Sequence, residues 1–289
     1  MKKEREKEKF IVIGLSVAVL LLLLCTVFIG QKKYYPFKED DRTQVLFLGD
    51  SNIAYDDEGD SIPVMLEKAG YYTAYNGAIG GTSASCINLT GNPDGLTDLF
   101  CFYNLAKIIH TGDLQAVLEL EDDKTTEDMG KIGMLTDLYL DKMDYLVISY
   151  GLNDYTIGCR IEGEDPYDES TYCGALRSGI ELLKEDCPNA VIILSSITYC
   201  TFAEEGKPFA DGYSVNWGGG TIQDYHDAMK KVAEEYEGVV FFDTLETMGV
   251  NAENYEIYLK DDIHFNDEGR KLYLDCLMEL LKEKENNEG

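Results

Sequence analysis

The chain has 289 residues, of which 45% are hydrophobic and 11% aromatic, and this is enough for one substantial core. Its formal net charge of −29 gives a surface that repels nucleic acid and anionic membrane surfaces, so we discount both as binding partners.

An uncharged apolar run at residues 10–30 dominates the N-terminal part of the chain. About 20 such residues span a bilayer. Five basic residues precede the run and two follow it, an asymmetry that favours a cytoplasmic N-terminus. We therefore predict a cytoplasmic tail (1–9), a transmembrane signal-anchor (10–30), a stalk (31–43) and an extracellular domain (44–285), tethered to the cell membrane by the anchor. The alternative is a cleaved signal peptide and a secreted protein.

Buried apolar runs alternate with helical patterns along the rest of the chain. The runs predict strands at 44–49, 71–75, 144–150, 190–195 and 238–243. Helical spacing and capping residues predict helices at 62–69, 96–109, 113–120, 126–143, 173–185, 221–236 and 266–284. This alternation indicates an α/β fold, a mostly parallel five-stranded sheet with helices on both faces. The role of the long 86–143 stretch stays open.

Seven cysteines lie outside the apolar run, and the first six form near pairs along the chain. They are Cys86, Cys101, Cys159, Cys173, Cys187, Cys200 and Cys276. Near pairs suit disulfides in an oxidising compartment, but buried small thiols explain them equally well. No CxxC motif or Cys/His cluster is present, so we predict neither a metal nor a cofactor. The oligomeric state stays open.

The first predicted strand runs directly into Gly49-Asp50-Ser51. Open α/β sheets bind their ligands at the carboxyl ends of strands, so Ser51 lies where a nucleophile can act if a base is near. The alternative is that Asp50 and Ser51 only end a strand and cap a helix.

The general base is easy to seek, because the chain has three histidines. His264 lies in a loop three residues after Asp261 and just before the final helix. A carboxylate that accepts from Nδ1–H fixes the imidazole tautomer and stabilises the imidazolium that forms. His110 and His226 lie in helical stretches and are interpreted as surface or packing residues.

Two further turns follow predicted strands and carry candidate hydrogen-bond donors. Asn153 lies after the 144–150 strand, and its side-chain NH₂ can donate to an oxyanion, although an ordinary Asx turn is the alternative. Gly80 and Gly81 follow the 71–75 strand, where a glycine N–H can approach a substrate closely or the pair can merely close a turn. The glycine-rich loop 202–220, with Trp217, is interpreted as a surface loop or a border of the same site.

These segments, taken in chain order, resemble the four sequence blocks of the SGNH family, also called GDSL esterases and lipases. The first block matches Gly49-Asp50-Ser51, followed by Asn52 where many members have Leu. The remaining blocks match Asn76–Ser83, Gly151-Leu152-Asn153-Asp154 and Asp261-Asp262-Ile263-His264. The resemblance implies the flavodoxin-like, three-layer α/β/α fold of that family.

The resemblance also implies a serine esterase. Ser51 would attack the ester carbonyl, His264 would act as the base, and Asp261 would orient His264. The oxyanion hole would comprise the Ser51 and Gly81 N–H groups and the Asn153 side chain, with Asp50 and Asp154 in supporting positions. The expected substrates are acyl esters, such as O-acyl or O-acetyl groups on extracellular glycans. An O-acyltransferase using the same triad and a non-catalytic binding module are the alternatives.

Overall fold

The computed structural model describes residues 41–54, 60–86, 100–114, 126–202 and 209–288. Five strands lie in this part of the chain: β1 (Thr43–Gly49), β2 (Tyr72–Asn76), β3 (Tyr145–Ser149), β4 (Val191–Ser195) and β5 (Val239–Phe242). The helices that accompany them are α1 (Ser51–Ala54), α2 (Ile62–Lys68), α3 (Phe102–Thr111), α4 (Thr126–Asp137), α5 (Leu152–Thr156), α6 (Tyr172–Asp186), α7 (Ile222–Glu234), α8 (Thr244–Met248), α9 (Tyr255–Tyr258) and α10 (Asp267–Glu288).

The strands form one parallel sheet in the order β2-β1-β3-β4-β5. This is the flavodoxin-like order: β2 lies on one side of β1 and the later strands are added on the other side, with the switch between β1 and β3. Strand β3 is buried along its whole length, as expected for a strand covered on both faces. The helices contact one another in two groups, with α6 against α3 and α7, and α10 against α2 and α8. The predicted α/β fold with a five-stranded parallel sheet is therefore confirmed.

Each end of every predicted strand lies within one residue of its observed position. The predicted helix 126–143 is too long, because α4 ends at Asp137 and a separate 3₁₀ turn occupies Leu140–Lys142. Four helices of four or five residues (α1, α5, α8 and α9) were not predicted. One turn of helix is too short to give a periodic sequence pattern.

Several predictions fall outside the described residues, namely the cytoplasmic tail, the signal-anchor 10–30, most of the stalk, residues 96–99 and 115–120, and 203–208. Within the described ranges, none of the helices combines the length and hydrophobicity that a bilayer crossing requires.

The described cysteines contain no disulfide bond. The Cys86 and Cys101 Sγ atoms lie 2.6 Å apart, so the structure brings this near pair together. Burial raises the pKa of the thiol to about 12 at Cys159, Cys173, Cys187 and Cys200. These four side chains therefore pack as neutral small hydrophobes.

Candidate active site

The sheet order explains why residues far apart in sequence meet at one edge. Strands β2, β1 and β3 are neighbours, and their carboxyl ends lead into the Gly81 loop, into Ser51 and into Asn153 respectively. Backbone hydrogen bonds join these ends directly, with Ile79 N–H donating to Gly49 O at 2.9 Å and Asp50 N–H to Ser149 O at 3.2 Å. The predicted nucleophile and both predicted oxyanion elements therefore share this edge.

Ser51, His264 and Asp261 form a continuous hydrogen-bonded chain. The Ser51 Oγ atom lies 2.9 Å from His264 Nε2. His264 Nδ1 lies 2.9 Å from Asp261 Oδ2. Because a carboxylate accepts only, the Nδ1 atom carries the proton, and the Nε2 lone pair faces the serine hydroxyl. This tautomer is the one that a base acting on Ser51 needs.

Asp261 is held by its own loop as well as by the histidine. Its Oδ1 atom accepts the backbone N–H groups of Ile263 at 2.9 Å and His264 at 2.7 Å. Partial burial pushes the pKa of Asp261 upward, but these two bonds and the His264 ring outweigh burial, so the net pKa is lowered. Asp261 is therefore ionised at neutral pH and points its second oxygen at the imidazole.

The two predicted oxyanion elements are tied to each other. Asn153 Nδ2 donates to the backbone O of Thr82 at 2.8 Å, which fixes the amide beside the Gly81 loop. An amide NH₂ has two hydrogens, so one stays available to a substrate. Gly81 has φ of +70°, is exposed, and has no atom within 4 Å of where a Cβ would stand. A side chain there would be strained and would enter open space beside the site.

The Asp154 side chain hydrogen-bonds the loop that carries Gly81. Its fully buried carboxylate accepts the backbone N–H groups of Ala84 at 2.8 Å and Ser85 at 3.0 Å, as well as the Ser85 hydroxyl. Burial raises the pKa of Asp154, while the hydrogen bonds from Ser85 and Ala84 oppose the rise. The residue beside Asn153 thus holds the loop that carries Gly81.

Asp50 caps the helix that begins at the candidate nucleophile. Its Oδ1 atom accepts the N–H of Asn52 at 3.0 Å, and its backbone O accepts from Ala54 at 3.0 Å. Burial raises the pKa of Asp50 to about 7. The hydrogen bond from the Asn52 N–H lowers this pKa, and the charge of Asp154 raises it further. Capping and a candidate nucleophile therefore coexist at this strand end.

The raised pKa of Asp50 predicts a pH-dependent stability. The folded pKa of about 7 exceeds the unfolded value of 3.8, so the stabilising contribution of Asp50 is present below pH 3.8 and is lost as pH rises through 7. Asp50→Asn keeps the capping oxygen and removes the charge. We expect its free energy of unfolding, relative to wild type, to rise by on the order of 2–3 kcal/mol between pH 5 and pH 8.

Urea denaturation of both proteins at the two pH values measures this difference. Asp137→Asn, on an exposed side chain at the end of α4, is the control and should show no such trend. Parallel pH profiles for Asp50→Asn and wild type would contradict a carboxyl that is protonated in the fold.

The other two histidines lie away from this chain of hydrogen bonds. His110 is near the Asp186 carboxylate, with Nδ1 3.2 Å from Oδ2. His226 is buried, with Nδ1 2.9 Å from Asp227 and Nε2 2.9 Å from Asp243. Both histidines are packing or surface residues, as the sequence indicated.

A small cavity opens beside Ser51. It has room for about one water molecule, and its lining comes from the ends of β1, β3 and β4. The residues on either side of Ser51, Asp50 and Asn52, contribute to it. The remaining lining residues are Ser149, Tyr150, Leu152, Ser196, Ile197 and Thr198. In the described part of the chain, no group of His, Cys, Asp or Glu side chains could hold a metal ion.

The loop after β4 reaches the helix that carries Asn153. The ring of Trp217 packs on Phe202 with centroids 5.5 Å apart, and Phe202 packs on Tyr155 of α5 at 6.0 Å. Trp217 is still 52% exposed. The described part of this loop is therefore a surface loop that also packs against α5.

Sequence reasoning missed the role of Asn52, which it noted only as a departure from Leu. The side chain is buried and hydrogen-bonds the backbone on both sides of His264. The available signal was the polar Asn52 at a position where many family members have the apolar Leu. The link from Asn153 to Thr82 had no sequence signal, because the acceptor is a backbone carbonyl.

Comparison with known proteins identifies one family and a set of similar folds. The sequence model of the GDSL-like lipase/acylhydrolase family matches residues 47–272. A solved Lactobacillus plantarum protein is 17% identical, with a TM-score of 0.55 over 85% of this chain and 99% of its own. A structure described as a possible lipase from Chitinophaga pinensis is 15% identical, with a TM-score of 0.54 over 83% and 98%. Among curated proteins nothing matches.

Proposed function

Since the chain belongs to the GDSL-like lipase/acylhydrolase family and is an ester-bond hydrolase, we propose that it is a serine esterase for short acyl groups. The proposed triad is Ser51, His264 and Asp261. The proposal rests on the hydrogen-bonded chain from Ser51 Oγ through His264 to Asp261. Both distances, Ser51 Oγ to His264 Nε2 and His264 Nδ1 to Asp261 Oδ2, are 2.9 Å.

The proposed reaction begins when Ser51 Oγ attacks the ester carbonyl carbon and His264 Nε2 takes the hydroxyl proton. Asp261 stabilises the imidazolium that results. The tetrahedral intermediate collapses, the C–O bond to the alcohol breaks, and His264 returns the proton to the leaving alkoxide. Water, deprotonated by the same imidazole, then cleaves the acyl-serine, releases the acid and restores the enzyme.

The negative charge on the tetrahedral oxygen needs donors that are in place before the reaction. We assign this role to the backbone N–H groups of Ser51 and Gly81 and to the second hydrogen of the Asn153 amide. Support comes from the hydrogen bond between Asn153 and Thr82, which leaves that hydrogen uncommitted, and from the open space at Gly81. Loss of one such donor typically costs about 100- to 1000-fold in kcat.

The size of the cavity favours a small acyl group. The cavity has room for about one water molecule, which is too little for a long alkyl chain. Four of the eight lining residues carry a hydroxyl group, and these do not suit a long alkyl chain. We therefore propose acetyl and similarly short esters as substrates, with acetylated extracellular glycans as the natural source.

The proposal of an extracellular substrate depends on the apolar run at residues 10–30. We propose that this run is an uncleaved anchor that places the catalytic domain outside the cell membrane, with a secreted, cleaved form as the alternative. Fractionation decides between them, since an uncleaved anchor requires detergent for release.

A panel of p-nitrophenyl esters tests the function on the full-length protein in detergent. We expect kcat/KM to fall by about tenfold or more between the acetate and the octanoate, because the longer chain exceeds the cavity. A fluorophosphonate probe should label Ser51 in the same preparation. A preference for octanoate would overturn the short-acyl proposal, and absence of both hydrolysis and labelling would overturn the esterase itself. Acetyl transfer to an added sugar in place of hydrolysis would indicate an acyltransferase.

A further inference from the structure

The residue after the candidate nucleophile is an asparagine whose side chain reaches the histidine loop. We propose that Asn52 is a positioning residue that sets the distance between Ser51 and His264. This inference rests on the proposed function, because it concerns the geometry of the same triad. Asn52 also lines the cavity proposed for the acyl group, but the role inferred here acts through the backbone on either side of His264.

Two hydrogen bonds carry the inference. Asn52 Nδ2 donates to the backbone O of Ile263 at 3.1 Å, and Asn52 Oδ1 accepts the backbone N–H of Phe265 at 2.9 Å. Ile263 and Phe265 are the two neighbours of His264. A single amide group therefore holds the backbone on both sides of His264. Asn52 directly follows Ser51 in sequence, so these two bonds tie the histidine loop to the segment that carries Ser51.

Asn52 and one of its two partners, Phe265, are well shielded from water. Asn52 is 6% exposed and Phe265 is 3% exposed. Its own N–H donates to Asp50 Oδ1 at 3.0 Å, which fixes the residue at the start of α1. A buried backbone N–H that loses its acceptor is unfavourable, so the loop would shift to find another partner if this amide were absent.

Asp261 cannot supply the same constraint. It lies on the same loop as His264, and its bonds to Ile263 N, His264 N and the imidazole are all internal to that loop. These bonds set the rotation and tautomer of the ring. They leave the position of the whole loop relative to Ser51 undetermined, and the two bonds of Asn52 join the loop to the nucleophile's own helix.

Proton transfer needs the donor and acceptor within hydrogen-bond reach, and the present distance between Ser51 Oγ and His264 Nε2 is 2.9 Å. A displacement of about 1 Å can cost about 100-fold in rate. Many family members have Leu at the position of Asn52, and a Leu side chain can make neither bond. In this chain the Asn52 amide therefore helps to hold the histidine loop at the position that aligns His264 with Ser51.

The test replaces Asn52 by Leu, with Asn52→Ala as a second variant in case the first does not fold. We expect kcat for p-nitrophenyl acetate to fall by about 10- to 100-fold in both variants, because the base is displaced from Ser51. Thermal melting establishes the folded fraction, and kcat is compared per folded molecule. Proton NMR of the His264 Nδ1–H follows the loop directly, and this signal should broaden or move in the variants.

Asn266 provides the matched control. Its side chain also donates to backbone carbonyls, including Ile257 O at 3.0 Å, and accepts the N–H of Gly269 at 3.0 Å, but these bonds lead away from Ser51. Asn266→Ala should lower the melting temperature through loss of a helix cap while kcat per folded molecule changes less than about threefold.

The outcomes separate this inference from the proposed function. If wild type hydrolyses esters and both Asn52 variants keep kcat within about threefold with an unchanged His264 signal, the positioning role is wrong and the esterase stands. An equal loss of kcat in Asn266→Ala would also overturn it, because the effect would then follow from stability alone. If wild type hydrolyses no ester, the proposed function fails. An unchanged His264 signal in the variants would separately refute the positioning role of Asn52.

Discussion

Ser51→Ala should lower kcat for p-nitrophenyl acetate by about 10⁴-fold or more, with the fold intact. In the proposed mechanism the acyl-enzyme forms on Ser51 Oγ, and without this atom the proposed base, aspartate and oxyanion donors have no nucleophile. Ser51 is 9% exposed and begins α1, so alanine fits the site and its backbone N–H stays in the proposed oxyanion hole. Any residual rate would come from water held by the same donors.

Ser195→Ala is the matched control for this prediction. Ser195 is a buried serine at the end of β4, and its Oγ accepts from Tyr273 OH at 2.9 Å. Its loss should cost stability, on the order of 1–3 kcal/mol for an unpaired buried hydroxyl, and leave kcat largely unchanged. Steady-state kinetics and thermal melts of both variants provide the comparison. A Ser51→Ala protein that retains a tenth of wild-type kcat would rule out Ser51 as the nucleophile.

The sequence was sufficient for the sheet because its strands are short, continuous apolar runs such as Val45–Leu48. In a chain where strands alternate with helices, a run of this kind, bounded by glycine and followed by polar residues, is best interpreted as a buried parallel strand. Once the strands are known, the position of Ser51, Gly81 and Asn153 at one edge follows from parallel connectivity.

The remaining features depend on tertiary contacts that no local pattern records. The burial of His226 between two aspartates requires α7 and β5 to pack in a particular register. The bonds of Asn52 to Ile263 and Phe265 join positions more than 200 residues apart through backbone groups, which carry no residue identity. The pKa of Asp50 depends on its burial near Asp154, and burial of one carboxyl beside another is a property of the assembled site.

Asp261→Asn should lower kcat by about 10³- to 10⁴-fold at neutral pH, although the change replaces one oxygen by an NH₂ group. Asp261 Oδ1 accepts two backbone N–H groups, from Ile263 and His264, and only an oxygen can keep both bonds. The amide oxygen of Asn would therefore take that place, and the NH₂ would face His264 Nδ1. Nδ1 must then accept, so the ring proton moves to Nε2 and points at Ser51 Oγ. An imidazole in this tautomer cannot take the serine proton.

The neighbouring carboxylate gives a closely matched control for that change. Asp262 Oδ1 accepts from the Thr201 hydroxyl at 2.8 Å, a bond that an amide oxygen can also accept, and this contact is directed away from the imidazole. Asp262→Asn should keep kcat within about twofold, whereas Asp261→Asn should lose activity with little change in melting temperature, because its backbone bonds survive. NMR of the His264 ring nitrogens reads the tautomer directly, with the proton on Nδ1 in wild type and on Nε2 in Asp261→Asn. An unchanged tautomer, or equal activity in the two variants, would mean that Asp261 does not orient the base.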